Sequence, residues 1–351
     1  MLVLGIESSC DETAASVVED GKRVLSNVIS SQISIHSPFG GVVPELAARH
    51  HLEAIIPVME KALHEASVEL NDINLLAVTQ GPGLIGALLV GISAAKALHY
   101  VSNIPLVGVD HLHGHIQSAF FSDEPIEFPL VLLVVSGGHT SLFYSENVGS
   151  YRLLGNTRDD AAGEAFDKVA KMLGLGYPGG GIIDRLARDG NPAAFRFPRA
   201  FLGKESYDFS FSGIKTAVAN FLRDYGNPAS ENKTSYRIED LVASFQEAVV
   251  DMLLEKAFKA AENFKVRHLA IVGGVAANSR LRKRFMEEGE FRGIKIHLAP
   301  LEYCTDNAAM IAAAGYYKYL NEGEEKNPLE FEPYSRRKEV PLKQVNFSSK
   351  T

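Results

Sequence analysis

The sequence predicts an α/β protein built as two lobes of one repeated design. Three observations carry this reading. Apolar runs of strand length alternate with long helical patterns, which implies sheets with helices on their faces. The order of elements that opens the chain starts again near residue 128, where "FPLVLLVVSGGHTSLFYSE" repeats the layout of "LVLGIESSCDETAASVVED" although few letters agree. Both openings are strand pairs whose tips are small or polar. Two such tips facing each other across a cleft suit a nucleotide phosphate chain, because turn N–H groups bind anions.

In the first half, "LVLGIE" is an apolar strand closed by the polar turn "SSCDET", and "AASVV" and "RVLSNVISSQ" are the next two strands. "GGVVPELAARHHLEAIIPVMEKALHEA" is a loop entering a long amphipathic helix, with Leu46, Leu52, Ile55, Val58, Met59 and Leu63 at helical spacing. "LLAVTQGPG" is a strand ending in a Gly-Pro-Gly turn. "LIGALLVGISAAKALHYV" is a helix apolar nearly all round, hence expected to be buried. "PLVGVDH" is a short strand. In the second half the strand pair is followed by the helix "AAGEAFDKVAKMLG", the glycine-rich loop "GYPGGGIIDRLA" and the long helix "EDLVASFQEAVVDMLLEKAFKAAENF". "HLAIVGGVAANSRLRKRFM" is a strand, a Gly-Gly turn and a helix, and "IKIHLAP" is a last strand. "TDNAAMIAAAGYYKYL" is a helix capped by Thr305 or Asp306. The expected division is a first lobe of residues 1–125 completed by the C-terminal helix at 305–325, and a second lobe of 126–304 with an irregular insertion at 191–239. A polar tail at 326–351 follows.

Composition narrows the function. The chain has 351 residues, 46% hydrophobic and 22% charged, as expected of a globular protein with a full core. No uninterrupted apolar run reaches the roughly 18–20 residues of a bilayer span. The opening "MLVLGIESSCDET" lacks a basic n-region, so no signal peptide is read. Two cysteines, Cys10 and Cys304, give no disulfide framework and no cysteine-rich zinc site; a reducing cytoplasm is expected. A net charge of −8 argues against a dedicated nucleic-acid module. The basic runs "RLRKRF" and "SRRK" read as a solvated helix face and a polar tail.

Three sets of residues could carry chemistry. "VDHLHGHI" places His111 and His115 four apart, about 40° from each other on a helix and so on one face, with His113 facing away. That spacing serves two metal ligands in the zincin helix, although the glutamate of H-E-x-x-H is absent. Capping or surface histidines remain the plainer alternative. A third ligand must come from elsewhere, and Asp306 is a candidate that would otherwise be an ordinary N-cap. "VVSGGHT", "GYPGGG" and "IVGGVAAN" place glycines at strand ends or before helices, where backbone N–H groups bind phosphate or carboxylate. None is a Walker loop or a G-x-G-x-x-G fingerprint. Asp11 and Glu12 at the first tip, Asp167 in a helix and Asp184 after the glycine loop could move a proton or grip ribose hydroxyls.

Together "GIESSCDET", "GGVVPELAARHH", "GPGLIGALLVG", "DHLHGHI", "LVVSGGHT", "GEAFDKVAKMLGLGYPGGG", "FSFSGIKTAV", "GGVAANSRLR" and "CTDNAAMIA" resemble, in order, the bacterial tRNA N6-adenosine threonylcarbamoyltransferases, over roughly residues 1–325. Older usage calls them glycoproteases. The resemblance implies an actin-like, sugar-kinase-like duplicated fold. It implies transfer of a threonylcarbamoyl group from threonylcarbamoyl-adenylate to N6 of the adenosine beside the anticodon, in tRNAs reading codons that begin with A. It places the metal ligands on His111, His115 and Asp306, and adenylate binding on Val134, Val135, Ser136, Gly137, Gly138, Asp167, Gly180, Asp184 and Asn278. One divalent metal per chain is implied, Fe(II) favoured and Zn possible. The implied partners are tRNA, a paralogous actin-like subunit, a small ATPase and a separate enzyme that makes the adenylate, with no membrane involved. The helix from Pro44 to about Ala66 is a plausible docking face. His113 departs from the family pattern, which often has an acid there.

The donor is a mixed anhydride and already activated, and no nucleophile elbow or Cys-His pair is visible, so a covalent intermediate is not expected. Asp11 and Glu12 are the candidates for proton handling at the amine. The competing readings are a metallopeptidase, which lacks its general-base glutamate, a non-catalytic nucleotide-binding subunit, which would lack the histidine pair, and a sugar or acid kinase, which has no use for a His-His-Asp set.

Overall fold

A computed structural model describes residues 1–122, 124–203, 205–230 and 235–336. Residues 337–351 of the expected tail, with the end of the "SRRK" run, lie outside the described residues, as do 204 and 231–234 of the expected insertion.

The chain forms β1 (Leu2–Glu7), β2 (Glu12–Glu19), β3 (Arg23–Ser31), α1 (Ile33–His36), α2 (Pro44–Ala66), β4 (Leu75–Gly81), α3 (Ile85–Ser102), β5 (Leu106–Asp110) and α4 (His111–Ser118). The second half gives β6 (Leu130–Val135), β7 (Thr140–Asn147), β8 (Ser150–Asn156), α5 (Ala162–Met172), α6 (Gly179–Ala187), α7 (Ser212–Tyr225) and α8 (Ile238–Asn263). It closes with β9 (His268–Val272), α9 (Ser279–Arg292), β10 (Lys295–Leu298) and α10 (Ala308–Glu322).

Two five-stranded sheets result, ordered β3-β2-β1-β4-β5 and β8-β7-β6-β9-β10. In each, an antiparallel meander is joined through its first strand to two parallel strands. The duplication visible in the opening hairpins therefore extends to whole sheets. β1, β4 and β6 are almost wholly buried, as expected of central strands covered on both faces.

α10, from the far end of the sequence, lies on the first sheet rather than the second. A Cβ on Gly5 of β1 would stand 2.3 Å from the Ala308 carbonyl oxygen, and one on Gly315 of α10 would stand 2.3 Å from the Ala77 Cβ. Small residues on both surfaces let helix and sheet approach to backbone contact. Beyond α10 the chain returns across the first lobe. Lys96 Nζ donates to the Phe331 carbonyl at 2.8 Å, Gln80 Nε2 donates to that of Glu332 at 2.9 Å, and the Tyr334 hydroxyl donates to Asp110 Oδ2 at 2.8 Å.

Several expectations need correction. β8, "SYRLLGN", is a strand the sequence reading passed over; its half-buried edge position gives no clean alternation. "GGGIIDRLA" is helical from Gly179 onward rather than a loop, because Asp167 Oδ1 accepts the Gly179 N–H at 2.7 Å and anchors the first turn. The insertion, expected to be irregular with weak helices, holds a regular helix in α7, which buries Ile214, Val218 and Leu222 on one face. α3 is not buried all round: Leu89 is 43% exposed and Val101 73%. By length and composition, with a mean hydropathy of 1.4, α3 could cross a membrane; here it packs on α2 and β4. The run Arg280–Phe285 is not a solvated face. Arg280 and Arg284 pair with Glu247, Arg284 also reaches Asp251, and Arg282 donates to the carbonyls of Ala276 and Ala299. Arg280 and Arg284 thus tie α9 to α8, while Lys283 stays exposed beside Glu287 of its own helix.

Candidate functional site

The site begins with a helix cap. Asp110 ends β5 in extended backbone, and its Oδ1 accepts the N–H groups of Leu112 and His113 at 2.9 and 3.2 Å. Because α4 starts at that point, His111 and His115 fall on its cleft side, with ring centroids 4.7 Å apart at 80°. His113 lies against the Tyr151 ring on another side of the helix, 4.9 Å away, so the expectation that it faces away from the pair agrees with its position.

Asp306 arrives from the other end of the chain. Its Oδ1 is 3.2 Å from His115 Nε2 and 3.6 Å from His111 Nε2. One ligand atom from each of the three residues lies within 4.8 Å of the others. The cap of α10 is neither Thr305 nor Asp306 but Asn307, whose Oδ1 accepts the Met310 N–H at 3.0 Å while its amide nitrogen donates to the carbonyls of Tyr303 and Thr305. With the capping role filled, the Asp306 carboxylate is free to turn to the histidines. His115 is fully buried; its Nε2 faces only Asp306, outside good hydrogen-bond geometry, and its Nδ1 has no hydrogen-bond partner. Orphaned nitrogens of this kind are costly unless something binds them. Two imidazoles and a carboxylate are a donor set suited to a divalent cation such as Zn or Fe(II), so the residues fit one.

Both hairpin tips reach this point. From the first, Ser9 Oγ stands 3.2 Å from His111 Nδ1 and Glu7 Oε2 stands 3.0 Å from it. From the second, the His139 ring centroid is 6.2 Å from that of His111. Burial opposes charge on His111, but the carboxylates of Asp306 and Glu7 outweigh it and carry its pKa up to about 9. Burial would raise Asp306, yet His111 and His115 hold it well below the usual carboxylate range. His139 goes the other way: burial, then repulsion by His111 and His115, lowers it to about 4. Glu12 is pushed up to about 9 by burial and by the neighbouring charges of Asp306 and Asp11. It holds a proton at neutral pH and accepts from Ser31 Oγ at 3.1 Å.

The expected adenylate positions fall into two groups. Val134 and Val135 are completely buried in β6, so their side chains belong to the core and only backbone could serve a ligand. Gly137 and Gly138 are exposed at the second tip, against the start of α5, where the Gly163 N–H donates to the Ser136 carbonyl at 3.2 Å. Asp167 binds the N-terminus of α6 beside Gly180. Asp184 Oδ1 accepts the Ser279 N–H and hydroxyl at 3.2 and 2.8 Å, which joins it to Asn278, the cap of α9. A Cβ on Gly137, Gly138, Gly180 or Gly274 would meet nothing within 4 Å, so these turns border open space. An open cavity of about 650 Å³ lies at the start of α6 beside Gly180, lined by Tyr177, Pro178, Gly181, Ile182, Arg185 and Arg188. Glu7, His139 and Tyr177 were not singled out from the sequence. An acid closing an apolar strand and a histidine beside a glycine pair were the available signals.

Fold and site define a two-lobed protein with an actin-like fold and a His-His-carboxylate centre where its two hairpins meet. Solved structures agree on the fold alone. Component A of (R)-2-hydroxyglutaryl-CoA dehydratase from Acidaminococcus fermentans superposes with a TM-score of 0.54 at 16% identity, covering 91% of this chain and 99% of that one. Full-length HypF, in its phosphate- and nucleotide-bound form, gives 0.61 at 13% identity over 92% of this chain and 56% of that one. The sequence pattern of the family described as TsaD, tRNA N6-adenosine threonylcarbamoyltransferase, matches residues 23–313. The protein of that name from Syntrophobacter fumaroxidans is 57% identical over 337 residues, covering 96% of this chain and 99% of its relative; that from Syntrophus aciditrophicus is 55% identical, covering 92% and 94%. The chain belongs to the tRNA N6-adenosine threonylcarbamoyltransferase family.

Proposed function

We propose that this chain transfers the threonylcarbamoyl group of threonylcarbamoyl-adenylate to N6 of the adenosine beside the anticodon in tRNAs reading codons that begin with A, releasing AMP. The observation that carries the reading is the meeting of His111, His115 and Asp306 at the junction of two hairpin tips, in a chain of this family. In the reaction a C–N bond forms between adenine N6 and the carbamoyl carbon, the bond from that carbon to the phosphate oxygen breaks, and N6 gives up a proton.

His111, His115 and Asp306 would hold the cation, Fe(II) or Zn. When bound, it supplies Lewis acidity toward the carbamoyl carbonyl and a point of attachment for the threonyl moiety. The remaining work falls to the protein. Since the Ser136 N–H donates to the His139 carbonyl and the Gly179 and Gly180 N–H groups donate to Asp167, the adenylate and its departing phosphate are held by the exposed backbone of Gly137 and Gly138 at the end of the 134–138 segment and of Gly181 beside Gly180. Asp167, Asp184 and Asn278 orient the nucleoside. Asp11 and Glu12, hydrogen-bonded to each other at the first tip, handle the proton that N6 gives up. Holding the poorly nucleophilic amine against the carbonyl supplies much of the acceleration.

The partner reading is supported by α2 and α3, which pack together and expose Leu52 and Ile56, one turn apart on α2, and Ile85 and Leu89, one turn apart on α3. That apolar face is where a paralogous actin-like subunit docks, with a small ATPase completing the assembly. Such partners also supply the cationic surface that a chain of net charge −8 lacks for tRNA. The two free cysteines suit a cytoplasmic setting.

The test is a transfer assay with labelled threonine, the adenylate-forming enzyme and tRNA. His111→Ala and Asp306→Asn should each lose the bound metal and at least ~100-fold in transfer, since changes to mere supporting residues of metal sites already cost roughly 10–100-fold. Full transfer after removal of the metal refutes the reading.

A further inference from the structure

Glu7 is the last residue of β1 and is completely buried. Buried carboxylates need partners, and this one has three. Its Oε1 accepts the Ser9 N–H, and its Oε2 accepts the Thr79 hydroxyl at 2.7 Å and stands 3.0 Å from His111 Nδ1. Two of the partners are fixed parts of the first sheet and its tip, so the carboxylate cannot turn away. A carboxylate oxygen accepts and does not donate, so the Glu7–His111 contact places a proton on Nδ1. The other ring nitrogen, Nε2, is the one that points to Asp306. His115 has no comparable support at either nitrogen.

We infer that Glu7 is the positioning residue of the metal centre: its carboxylate fixes the His111 ring and reserves Nε2 for the cation, with Thr79 and Ser9 holding Glu7 in turn. The inference rests on the proposed function only in taking His111 as a ligand. In the fold it gives the first sheet a direct hand in the site, since the end of β1 sets the orientation of a ligand on α4.

Co(II) serves as the probe because its visible absorption reports ligand geometry independently of transfer activity. Wild-type protein, Glu7→Gln and Thr79→Val are stripped of metal, checked by circular dichroism and thermal melting, and titrated with Co(II). Glu7→Gln keeps the shape of the side chain and should retain the fold, yet bind Co(II) roughly 10–100-fold more weakly with an altered absorption spectrum. Thr79→Val, which leaves the carboxylate but frees it, should give a smaller loss in the same direction. A folded Glu7→Gln with wild-type affinity and spectrum overturns the inference. If Glu7→Gln does not fold, Thr79→Val decides, and unchanged affinity and spectrum there overturn it equally. Wild-type protein that fails to bind Co(II) at all overturns the cation centre itself and this inference with it, an outcome distinct from the other two.

Discussion

Metal affinity should depend on pH through His111. Without a cation, His111 keeps its proton until about pH 9, because Asp306 and Glu7 outweigh the cost of burying the charge. Binding at Nε2 must displace that proton. Below pH 9 each unit of acidity therefore lowers the apparent affinity about tenfold, or about 1.4 kcal/mol. At pH 7 the deficit against the fully deprotonated site is ~100-fold, about 3 kcal/mol. The same shift acts on stability with a definite sign. The folded pKa lies above the ordinary histidine value of 6.5, so the ion pairs contribute fully below pH 6.5 and their contribution is lost as pH rises through 9. The cation-free protein should thus lose up to ~3 kcal/mol between these limits while its metal affinity rises. Titration calorimetry with Zn(II) between pH 6.5 and 8, in buffers of different ionisation enthalpy, measures both slope and proton count. At least one proton released per ion, with a slope of at least one decade per pH unit, is the expected result. A flat affinity profile with no proton release refutes the reasoning.

Three further outcomes follow from the packing. Gly5→Ala forces a methyl against the Ala308 carbonyl, and overpacking of this kind costs ~1–3 kcal/mol; the value should fall near the upper end in chemical denaturation, with weakened metal binding because α10 follows directly on Asp306. Gly137→Ala and Gly180→Ala meet no neighbouring atom, so stability should change by less than ~0.5 kcal/mol while the KM for the adenylate donor rises several-fold. Leu52→Glu and Ile56→Glu, both on the exposed side of α2, should leave the melting temperature unchanged and abolish association with a paralogous subunit in analytical ultracentrifugation.

The repeated hairpins at residues 2–19 and 130–147 were legible because near-continuous apolar runs of strand length, broken by small and polar turn residues, leave a strong local signal. The i, i+4 spacing of His111 and His115 was legible for a similar reason, since a helix places both on one face. The meeting with Asp306 was not, because 191 residues separate it from His115 and no local pattern reports a contact of that span. The order of resembling motifs supplied it. The cap of α10 was misassigned between three adjacent residues able to cap, Thr305, Asp306 and Asn307, and only the extended backbone at Asn307 settles which one turns inward. The exposed side of α3 was missed because apolar residues on every face look the same whether the burying surface is the chain's own core or something else. Glu7 was hidden by its apolar neighbours, since an acid at the end of a strand usually ends in water.

The close approach of α10 to β1 has a consequence for how the molecule is made. A ribosome delivers the first lobe's strands early and the helix that seals one of their faces last. Until Ala308 and the turns behind it emerge, the nascent first sheet carries Gly5, Ala77 and Val107 uncovered. The second lobe, whose strands and covering helices all precede Asp306, can close while the first still waits. Assembly of the cation centre therefore waits until Asp306 and α10 have followed every strand of both sheets out of the ribosome.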